Sequence, residues 1–430
     1  MAVKTYAEAL AFIHGRRKFT KDPSLERMRR FAHYLGDPQK KTRFVHVTGT
    51  NGKGSTVAYL SKLLQAHGLE VGTFTSPYIT RFNERIRLNG RDIPDEILVE
   101  LVQRLEPVVL RLDQEYDGQG PKEFEVVTML MFLYFAKVQP DYALVEVGIG
   151  GTYDSTNILT PELAVITSVS YDHMQILGDS LTQIATAKAG IIKANKPVVI
   201  GKMAEESLAV IEKRAKEMGA PYYRAGLEFN VFQKKRDFLG EVFDYTGLNY
   251  VQKSLKTRLL GAYQVENASV ALTAFLVLAQ NAKIKVYPKE IAHALADTTW
   301  PGRTEIVLQE PLVMLDGAHN EDGIKRLRQM LKERFATQHI YVIMAILADK
   351  QVELMLEQIK SLPNVTLIAV TFEAPRKVAD IVALKKKEQI QVEMDWATAF
   401  KQVLNEMSGD DMILFTGSLY FIAEVRKYFK

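Results

Sequence analysis

The stretch HVTGTNGKGSTVAYL, His46–Leu60, decides the fold class of this chain. An apolar run ends in the glycine-rich turn of residues 49–55, and a helix-like pattern begins directly afterwards. Glycines let backbone N–H groups turn inward around phosphate oxygens, and the helix N-terminus adds a favourable partial charge. Strand, turn and helix in this order are the context that a phosphate-binding loop requires. The stretch therefore predicts a nucleotide-binding α/β domain.

The polar residues of this phosphate loop (residues 49–55) suit a triphosphate. Lys53 would neutralise β- and γ-phosphate oxygens, and Ser55 or Thr56 would reach the metal ion that accompanies the nucleotide. Gly54 separates Lys53 from Ser55, which departs from the usual G-x-x-x-x-G-K-[ST] spacing. An ordinary glycine-rich turn is the alternative, which a lysine and a serine at these places disfavour. The predicted nucleotide contacts are Gly49, Asn51, Gly52, Lys53, Gly54 and Ser55.

Composition limits the class of protein. The chain has 430 residues, 47% hydrophobic and 25% charged, and no cysteine, which excludes disulfides and thiolate chemistry. A formal net charge of +4 is far from that of a nucleic-acid coat. The N-terminal segment lacks the pattern of a signal peptide, and no apolar run approaches the ~20 residues that span a bilayer. We expect a cytoplasmic protein without nucleic-acid or membrane partners.

The order of patterns indicates two α/β domains. Strand-like runs such as RFVHVT (43–48), YALVEVG (142–148) and LAVITSV (163–169) alternate with helical patterns, which predicts a doubly wound, mostly parallel sheet. Residues 226–260 indicate a β-rich insertion. TTWPGRTEI (298–306) interrupts the pattern, and a second βα series follows it. We therefore predict a nucleotide-binding domain over residues 1–298 and a smaller Rossmann-like domain over residues 299–430.

The GTNGKGS loop is typical of the Mur-ligase-like ATP-dependent ligases, and its GKGS form resembles the folylpolyglutamate synthase family. Further motifs match that family in order, from residue 74 to near the C-terminus: FTSPYITRFNERIRLNG (74–90), EVGIGGTYDSTNI (146–158), SYDHMQILGDSLTQIATAKAGIIK (170–193), WPGRTEI (300–306), LDGAHN (315–320) and FTGSLY (415–420). The resemblance implies a first domain like the central domain of Mur ligases. It also implies ATP-dependent amide ligation.

Glu146 is the metal-ligand candidate that the residues themselves suggest. It ends a predicted strand beside the strand of the phosphate loop, at the sheet edge where ligands collect, and Mg²⁺ prefers oxygen donors. A surface charge is the alternative. GIGG (148–151) lacks the full dinucleotide-binding fingerprint. The resemblance adds Ser76 and His173, at the end of another strand, as Mg²⁺ ligands, although an imidazole on Mg²⁺ is unusual.

Two lysines stand near the end of the same motif. The resemblance implies that Lys188 is carbamylated by CO₂, which requires a neutral amine and hence a lowered pKa. Lys193 is the competing candidate, and a solvated helix lysine is the ordinary interpretation. From the second half of the chain, the resemblance implies nucleotide contacts by Asn267, Arg303 and Asp316, and a catalytic or nucleotide-binding role for His319. It thus gives Lys53, Lys188 and His319 as catalytic candidates.

The folate branch of the superfamily fits better than the cell-wall Mur ligases, because 48 residues before the loop are too few for a domain that binds a UDP-sugar. The resemblance implies a monomer with ATP, L-glutamate and a reduced folate as substrates. Phe124, Tyr153 and Asp154 are its candidate folate contacts, although a helical Phe is more often a core residue.

Other function classes stay open at this point. A GTPase switch lacks the NKxD base-recognition motif, and a kinase would leave the second domain unexplained. A bifunctional enzyme that also makes dihydrofolate from dihydropteroate, and a nucleotide-gated binding module, are the alternatives to a monofunctional ligase.

Overall fold

The chain folds into two compact units. The structure, a computed structural model, describes residues 3–17, 24–237, 240–388 and 390–429. The first unit comprises Met1–Val231, Tyr245–Lys253 and Glu266–Leu295. The second comprises Phe232–Asp244, Ser254–Val265 and Ala296–Lys430.

An eight-stranded sheet forms the centre of the first unit. Its strands are β1 Phe44–Thr48, β2 Val71–Phe74, β3 Ile86–Leu88, β4 Arg91–Asp92, β5 Tyr142–Glu146, β6 Leu163–Ile166, β7 Val198–Ile200 and β8 Tyr222–Arg224. Their order in the sheet is β4-β3-β2-β5-β1-β6-β7-β8. All neighbours are parallel except β2–β3 and β3–β4. The chain leaves β1 toward β2 and later continues from β6 on the other side, so β1 lies at the switch point where ligands bind.

Helices pack against this sheet, and all of them except the short α6 bury apolar side chains. They are α1 Tyr6–His14, α2 Glu26–Tyr34, α3 Lys53–Ala66, α4 Asp95–Glu115, α5 Glu123–Val138, α6 Met174–Leu177, α7 Leu181–Ala189 and α8 Glu205–Glu217. One core joins α1, α2, α4 and α5 to β1 and β5, as in the edge-to-face contact of Phe44 with Phe132. Another core joins α7 and α8 to β6 and β7.

The predicted β-rich insertion is a three-stranded sheet. Its strands β9 Phe229–Asp237, β10 Gly240–Gly247 and β11 Tyr250–Thr257 lie in the order β11-β10-β9. Helices α9 Ala262–Ala282 and α10 Pro288–Ala296 follow. Among the described residues, α9 alone is long and apolar enough to cross a membrane, so the expectation that no segment approaches this limit is wrong. However, 78% of its most apolar window is buried, as in a core helix.

A six-stranded sheet forms the centre of the second unit. Its strands are β12 Glu305–Leu308, β13 Leu312–Leu315, β14 Ile340–Met344, β15 Val365–Val370, β16 Gln391–Glu393 and β17 Met412–Thr416, in the order β12-β13-β17-β14-β15-β16. Only the β12–β13 pair is antiparallel. The helices are α11 Glu321–Arg334, α12 Val352–Lys360, α13 Ile381–Glu388, α14 Trp396–Glu406 and α15 Leu419–Tyr428. The predicted fold class, two α/β sheets of mostly parallel strands, is confirmed.

A buried ion pair ties the start of β10 to α11 within the second unit. Arg334 Nη1 lies 2.8 Å from Glu241 Oε1, and the side chains are 5% and 0% exposed. The same Glu241 carboxylate accepts hydrogen bonds from the Gly261 N–H and the Gln233 amide, at 2.7 and 2.6 Å. A buried charge with fewer partners would be costly, so these contacts fix the segment to the helix.

Glu241→Ala should destabilise the second unit, because it leaves the Arg334 guanidinium buried without its counter-charge. We expect a loss of about 3–5 kcal/mol in the free energy of unfolding. Both tryptophans, Trp300 and Trp396, lie in this unit, so urea unfolding followed by tryptophan fluorescence measures its stability.

Asp349→Ala is the matched control, because its ion pair with Arg376 leaves the two side chains 41% and 39% exposed. We expect it to cost at most about 1 kcal/mol. Equal losses in the two variants would contradict a special role for the buried pair.

Candidate active site

The phosphate loop lies at the carboxyl edge of the first sheet. β1 ends at Thr48, between β5 and β6, and Val47 pairs with Glu146. The loop then leads directly into α3, which begins at Lys53. The strand, turn and helix predicted from the sequence are therefore present, and the turn faces the edge where ligands of such sheets bind.

Two of the loop's glycines leave no room for a side chain. A Cβ on Gly49 would overlap the Thr167 hydroxyl and lie 3.1 Å from the Ser168 nitrogen. Gly52 has a φ of +85°, and a Cβ there would overlap the side-chain oxygen of Asn267. Glycine is thus required at Gly52 for backbone conformation and at both positions for close approach. Asn267, predicted to contact the nucleotide, packs against the loop.

A polar segment after β6, residues 167–170, holds the loop in place. Ser168 Oγ accepts a hydrogen bond from the Asn51 N–H and donates one to the Asn51 carbonyl, both at 3.0 Å. Thr167 Oγ1 donates to the same carbonyl at 2.6 Å. Thr50 and Ser170 exchange two further hydrogen bonds of 3.0 Å. The backbone of the loop is therefore held in its turn by protein groups alone.

Lys53 folds back over the loop that precedes it. Its ammonium donates to the carbonyl oxygens of Gly49 and Thr50, at 2.9 and 3.1 Å. A bound phosphate would offer charged oxygens in place of these neutral carbonyls, and hydrogen bonds between charged groups are stronger. The lysine is therefore placed to exchange loop carbonyls for a phosphate.

The hydroxyl residues of the first turn of α3 are buried. Ser55 is 2% exposed and Thr56 is 0% exposed. Thr56 Oγ1 has no hydrogen-bond partner among the described residues, whereas most buried hydroxyls have one. The sequence left Ser55 and Thr56 as alternative metal contacts, and the structure places both hydroxyl-bearing residues beside the loop.

Glu146 and Ser76 meet at the ends of β5 and β2. The Glu146 side chain, 4% exposed, accepts a hydrogen bond of 3.1 Å from the Ser76 N–H through Oε2. Two members of the predicted metal set are therefore in contact. Among the described residues, no three His, Cys, Asp or Glu side chains form a metal-binding cluster. The predicted set, with one carboxylate, one imidazole and one serine, is of a different kind.

The prediction that His173 ends a strand is wrong. β6 ends at Ile166, and His173 lies seven residues later in a left-handed backbone conformation, φ +50°, ahead of the short helix α6. Its N–H donates to Asp172 Oδ1 at 2.8 Å, and its Nε2 lies 3.9 Å from Asp172 Oδ2. The strand pattern LAVITSV is cut short because residues 167–170 turn aside to hold the phosphate loop.

Lys188 is buried near the end of α7, with 3% of its surface exposed. Burial, and then the positive charge of Lys53, lower the pKa of Lys188 to about 7, while Asp172 opposes the shift. The helix end that carries it is fixed to the loop after β5, because the Thr152 N–H donates to the Ala187 carbonyl at 2.8 Å. The ordinary interpretation of Lys188 as a solvated helix lysine is therefore wrong.

Lys193 is less buried than Lys188, but it has the same kind of shift. Burial lowers its pKa to about 8, with Arg29 and Arg214 as smaller causes. Its ammonium donates to the Asn157 carbonyl at 3.3 Å. Both lysines therefore have amines that are neutral more often than an ordinary lysine, and the pKa alone does not choose between them.

The three candidate folate contacts differ in their surroundings. Asp154 is 7% exposed, and burial raises its pKa. The hydrogen bonds that it accepts from Thr156 and from the Ile149 N–H oppose this shift. The Phe124 ring lies against Gly148, since a Cβ on Gly148 would be 2.7 Å from two of its carbons and 3.0 Å from Asp154 Oδ2. Tyr153 is 61% exposed. Phe124 and Asp154 therefore converge on one place, and Tyr153 points to solvent.

Arg303, Asp316 and His319 form a cluster within the second unit, at the carboxyl end of β13. Asp316 is 3% exposed and accepts hydrogen bonds of 2.9 Å from the Thr304 and Ala318 N–H groups. Burial raises its pKa, and Arg303 opposes the shift. His319 Nδ1 lies 2.7 Å from the Gly317 carbonyl. The structure brings these three residues together, and their nucleotide role stays a prediction.

Sequence reasoning missed Asp172 and the segment of residues 167–170. The three small hydroxyl residues of TSVS, directly after the apolar LAVI, are the signal that could have found the segment. Asp172 stands next to His173 in the sequence. However, its contacts with His173 and its electrostatic effect on Lys188 depend on the fold.

Gly52→Ala should weaken ATP binding because its Cβ meets Asn267. Gly68, just beyond the other end of α3, is the matched control: its φ is +81°, and a Cβ there meets nothing within 4 Å. In both variants the positive φ costs about 1–2 kcal/mol, because alanine disfavours that backbone conformation. Calorimetric titration with ATP should show at least about tenfold weaker binding for Gly52→Ala and little change for Gly68→Ala. Equal affinities in both variants would show that the close approach of Asn267 to Gly52 does not affect ATP binding.

Comparison with known proteins gives the family. The Mur ligase middle domain matches residues 47–275, and the Mur ligase glutamate ligase domain matches residues 302–419. The dihydrofolate synthase/folylpolyglutamate synthase of Bacillus subtilis is 39% identical over 428 residues, with 99% of each chain covered. The folylpolyglutamate synthase of Lacticaseibacillus casei is 37% identical over 422 residues, with 98% of each covered.

The same family is found among solved structures. An FPGS–AMPPCP–folate complex matches with a TM-score of 0.89 at 36% identity, covering 99% of each chain. The resemblance that the GTNGKGS loop and the later motifs indicate is thereby confirmed. The chain belongs to the folylpolyglutamate synthase/dihydrofolate synthase family of Mur ligases.

Proposed function

We propose that this chain is an ATP-dependent ligase that joins L-glutamate to the γ-carboxylate of a reduced folate, giving folylpolyglutamates. The observation that carries the proposal is the phosphate loop, closed by Asn267, in a chain that resembles folylpolyglutamate synthases over its whole length. A nucleotide site with no second substrate would not explain that full-length similarity.

The first step makes the acid reactive. A carboxylate oxygen of the folate attacks the γ-phosphorus of ATP, the bond to the β-phosphate oxygen breaks, and ADP leaves an acyl phosphate behind. The N–H groups of the phosphate loop and the Lys53 ammonium lie where the negative charge of the triphosphate would be held. These groups are proposed to bind the phosphates in this step.

The second step forms the amide. The neutral α-amine of glutamate attacks the acyl carbon, and the tetrahedral intermediate expels phosphate and loses the amine proton. A free α-amino group has a pKa near about 8, so part of it is neutral at physiological pH. Water would hydrolyse the acyl phosphate, so the reaction needs a site that excludes water.

Mg²⁺ is proposed to accompany the ATP. The Glu146 carboxylate offers oxygen ligands at the sheet edge and lies against the Ser76 backbone N–H, which fits a hard cation beside Ser76, whereas the proposed His173 ligand would be unusual. Bound there, the ion would polarise phosphate oxygens and offset their charge.

Lys188 is proposed to be carbamylated. Its buried amine, with a pKa of about 7, can be neutral at physiological pH, as attack on CO₂ requires. The lone pair of the neutral amine forms the N–C bond to CO₂, one C–O π bond opens to an oxyanion, and the nitrogen releases one proton. A neutral amine, which would be a cation when protonated, thereby becomes an anion. That change would remove the repulsion between Lys188 and Lys53.

Phe124 and Asp154 are proposed to contact the pterin ring of the folate, with Tyr153 at the exposed margin. The ring of Phe124 offers a stacking surface, and the Asp154 carboxylate offers acceptors for the N–H groups of the pterin. Nucleotide contacts by Arg303 and Asp316 and a catalytic role for His319 are part of the same proposal. A monomer in the cytoplasm remains the expectation from the sequence.

Dihydrofolate synthesis is the second candidate activity. The Bacillus subtilis relative carries both activities in its name, and it is the specific observation that favours this addition. The Lacticaseibacillus casei relative is named for folylpolyglutamate synthesis alone. A nucleotide-gated binding module without ligation is the remaining alternative, and the full-length similarity to ligases disfavours it.

ADP release should require folate and L-glutamate together, because the acyl phosphate forms on one substrate and is consumed by the other. The measurement is a coupled ADP assay with ATP and Mg²⁺, omitting each substrate in turn, with the amide product identified by mass spectrometry. A parallel reaction replaces folate by dihydropteroate. Dihydrofolate in that reaction indicates the bifunctional enzyme. ADP release that is equal without either substrate, or ATP binding with no amide product, would refute the ligase.

Carbamylation should depend on Lys188 and on pH. With ¹³C-labelled bicarbonate, a protein carbamate signal should be present near pH 8 and should decline as the pH falls below about 7, where the Lys188 amine becomes protonated. Lys188→Arg should abolish the signal and lower kcat by about 10² or more, since an anion becomes a fixed cation.

Lys193→Arg is the matched control, because burial also lowers the Lys193 pKa, to about 8. It should keep both the carbamate signal and most of the activity. If the signal disappears in Lys193→Arg and persists in Lys188→Arg, the assignment of the two lysines is reversed.

A further inference from the structure

Three side chains on one face of β1 contact neighbouring parts of the first unit. Side chains alternate along a strand, so Phe44, His46 and Thr48 point to the same face. Phe44 packs on Phe132 of α5, and Thr48 Oγ1 donates to the Gly150 carbonyl at 2.6 Å. Between them, His46 is 0% exposed, and its Nε2 lies 2.8 Å from Thr156 Oγ1. A strand that leads into the phosphate loop therefore also contacts the segment after β5.

The hydrogen bonds continue from Thr156 to Asp154. The Thr156 hydroxyl and the Thr156 N–H both donate to Asp154 Oδ1, the latter at 3.0 Å. The Ile149 N–H donates to Oδ2 at 3.0 Å. These donors favour the ionised, acceptor-only form of Asp154, and they oppose the burial that raises its pKa.

The direction of these hydrogen bonds determines which ring nitrogen of His46 carries the proton. A hydroxyl has one proton. When Thr156 gives that proton to an ionised Asp154, His46 Nε2 carries the proton that it donates to Thr156. His46 Nδ1 is then the unprotonated nitrogen, and it is buried without a hydrogen-bond partner among the described residues. Burial, and then Lys193, lower the pKa of His46 to about 3, so the ring is neutral at physiological pH.

At Asp154, the other end of this series of hydrogen bonds, little space is left beside the Gly148 backbone. A Cβ on Gly148 would meet ring carbons of Phe124 at 2.7 Å and Asp154 Oδ2 at 3.0 Å. The aromatic ring and the carboxylate thus approach the same backbone position. The orientation of Asp154 at this place depends on donors behind it, and Thr156 supplies two of them.

We propose that His46 and Thr156 are positioning residues for folate recognition, which orient the Asp154 carboxylate toward the N–H groups of the substrate's heteroaromatic ring. This inference rests on the proposed function. His46 directs the Thr156 proton to Asp154, and Thr156 holds the carboxylate beside Phe124. Neither residue contacts the substrate, and neither moves a proton during the reaction.

Thr156→Val tests the proposal, because it keeps the shape of the side chain and removes the hydroxyl. We expect the KM for folate to rise about tenfold, the loss of one hydrogen bond to a charged group, with the KM for ATP unchanged. Thr156→Ser should restore the folate KM. His46→Phe should raise it by a smaller factor, because the hydroxyl remains but its proton is no longer directed.

Thr273→Val is the matched control. Thr273 is also 0% exposed, and its hydroxyl contacts the Ser269 carbonyl and the Tyr245 hydroxyl, both at 2.8 Å. It should lower the melting temperature without changing the folate KM. An equal rise of the folate KM in Thr273→Val would show a general effect of lost stability and would overturn the proposal.

A double-mutant cycle separates positioning from a purely structural role. In an Asp154→Ala background, Thr156→Val should have no further effect on the folate KM, because the group that it positions is absent. An undiminished effect there, or an unchanged KM in Thr156→Val, would refute the inference. If Asp154→Ala does not fold, the contrast of Thr156→Val with Thr156→Ser decides. Failure of the proposed function is seen separately, as a wild-type protein that makes no amide from folate and glutamate.

Discussion

The close approach of the phosphate loop to the segment after β6 is the constraint on which the site depends. Gly49 can bear no side chain because the Thr167 hydroxyl occupies that place, and Thr167 in turn bonds the Asn51 carbonyl. The N–H groups that would bind phosphate are therefore held in their turn by the segment after β6. Binding then costs less conformational entropy, since the loop is ordered by folding itself.

Charges of both signs collect around this loop, and the arrangement suits a reaction of anions. Lys53 and the buried Lys188 repel one another, and Asp172 attracts Lys188. Glu146 is buried at the end of the neighbouring strand. Taking charges out of water is costly, and the opposite charges and hydrogen bonds around these groups offset part of that cost.

The second unit also has polar residues just after a strand of its sheet, but with different side chains. Asp316 stands just after β13, accepts two backbone N–H groups and is buried beside Arg303. In both units the polar residues follow the carboxyl ends of parallel strands, where backbone groups left unpaired by the sheet are available. A carboxylate there organises its loop before it meets any ligand.

The sequence by itself determined the fold class, the phosphate loop and the family. Those depend on local order: an apolar strand, glycines at fixed spacing and a following helix specify a turn wherever they occur. The motif order also placed Glu146 correctly at a strand end beside β1. It misjudged His173, because the polar residues after β6 leave the strand to hold the loop.

Only the tertiary structure decided the environments of single side chains. The pKa of Lys188 is set by burial and by Lys53, which is 135 positions earlier in the chain, and no local pattern reports that proximity. Nothing in the local sequence distinguishes His46 from other strand residues, and only the fold brings Thr156, from the segment after β5, into contact with it. Burial and long-range charge are properties of the packed chain, so sequence spacing could name the candidates but could not give their chemical state.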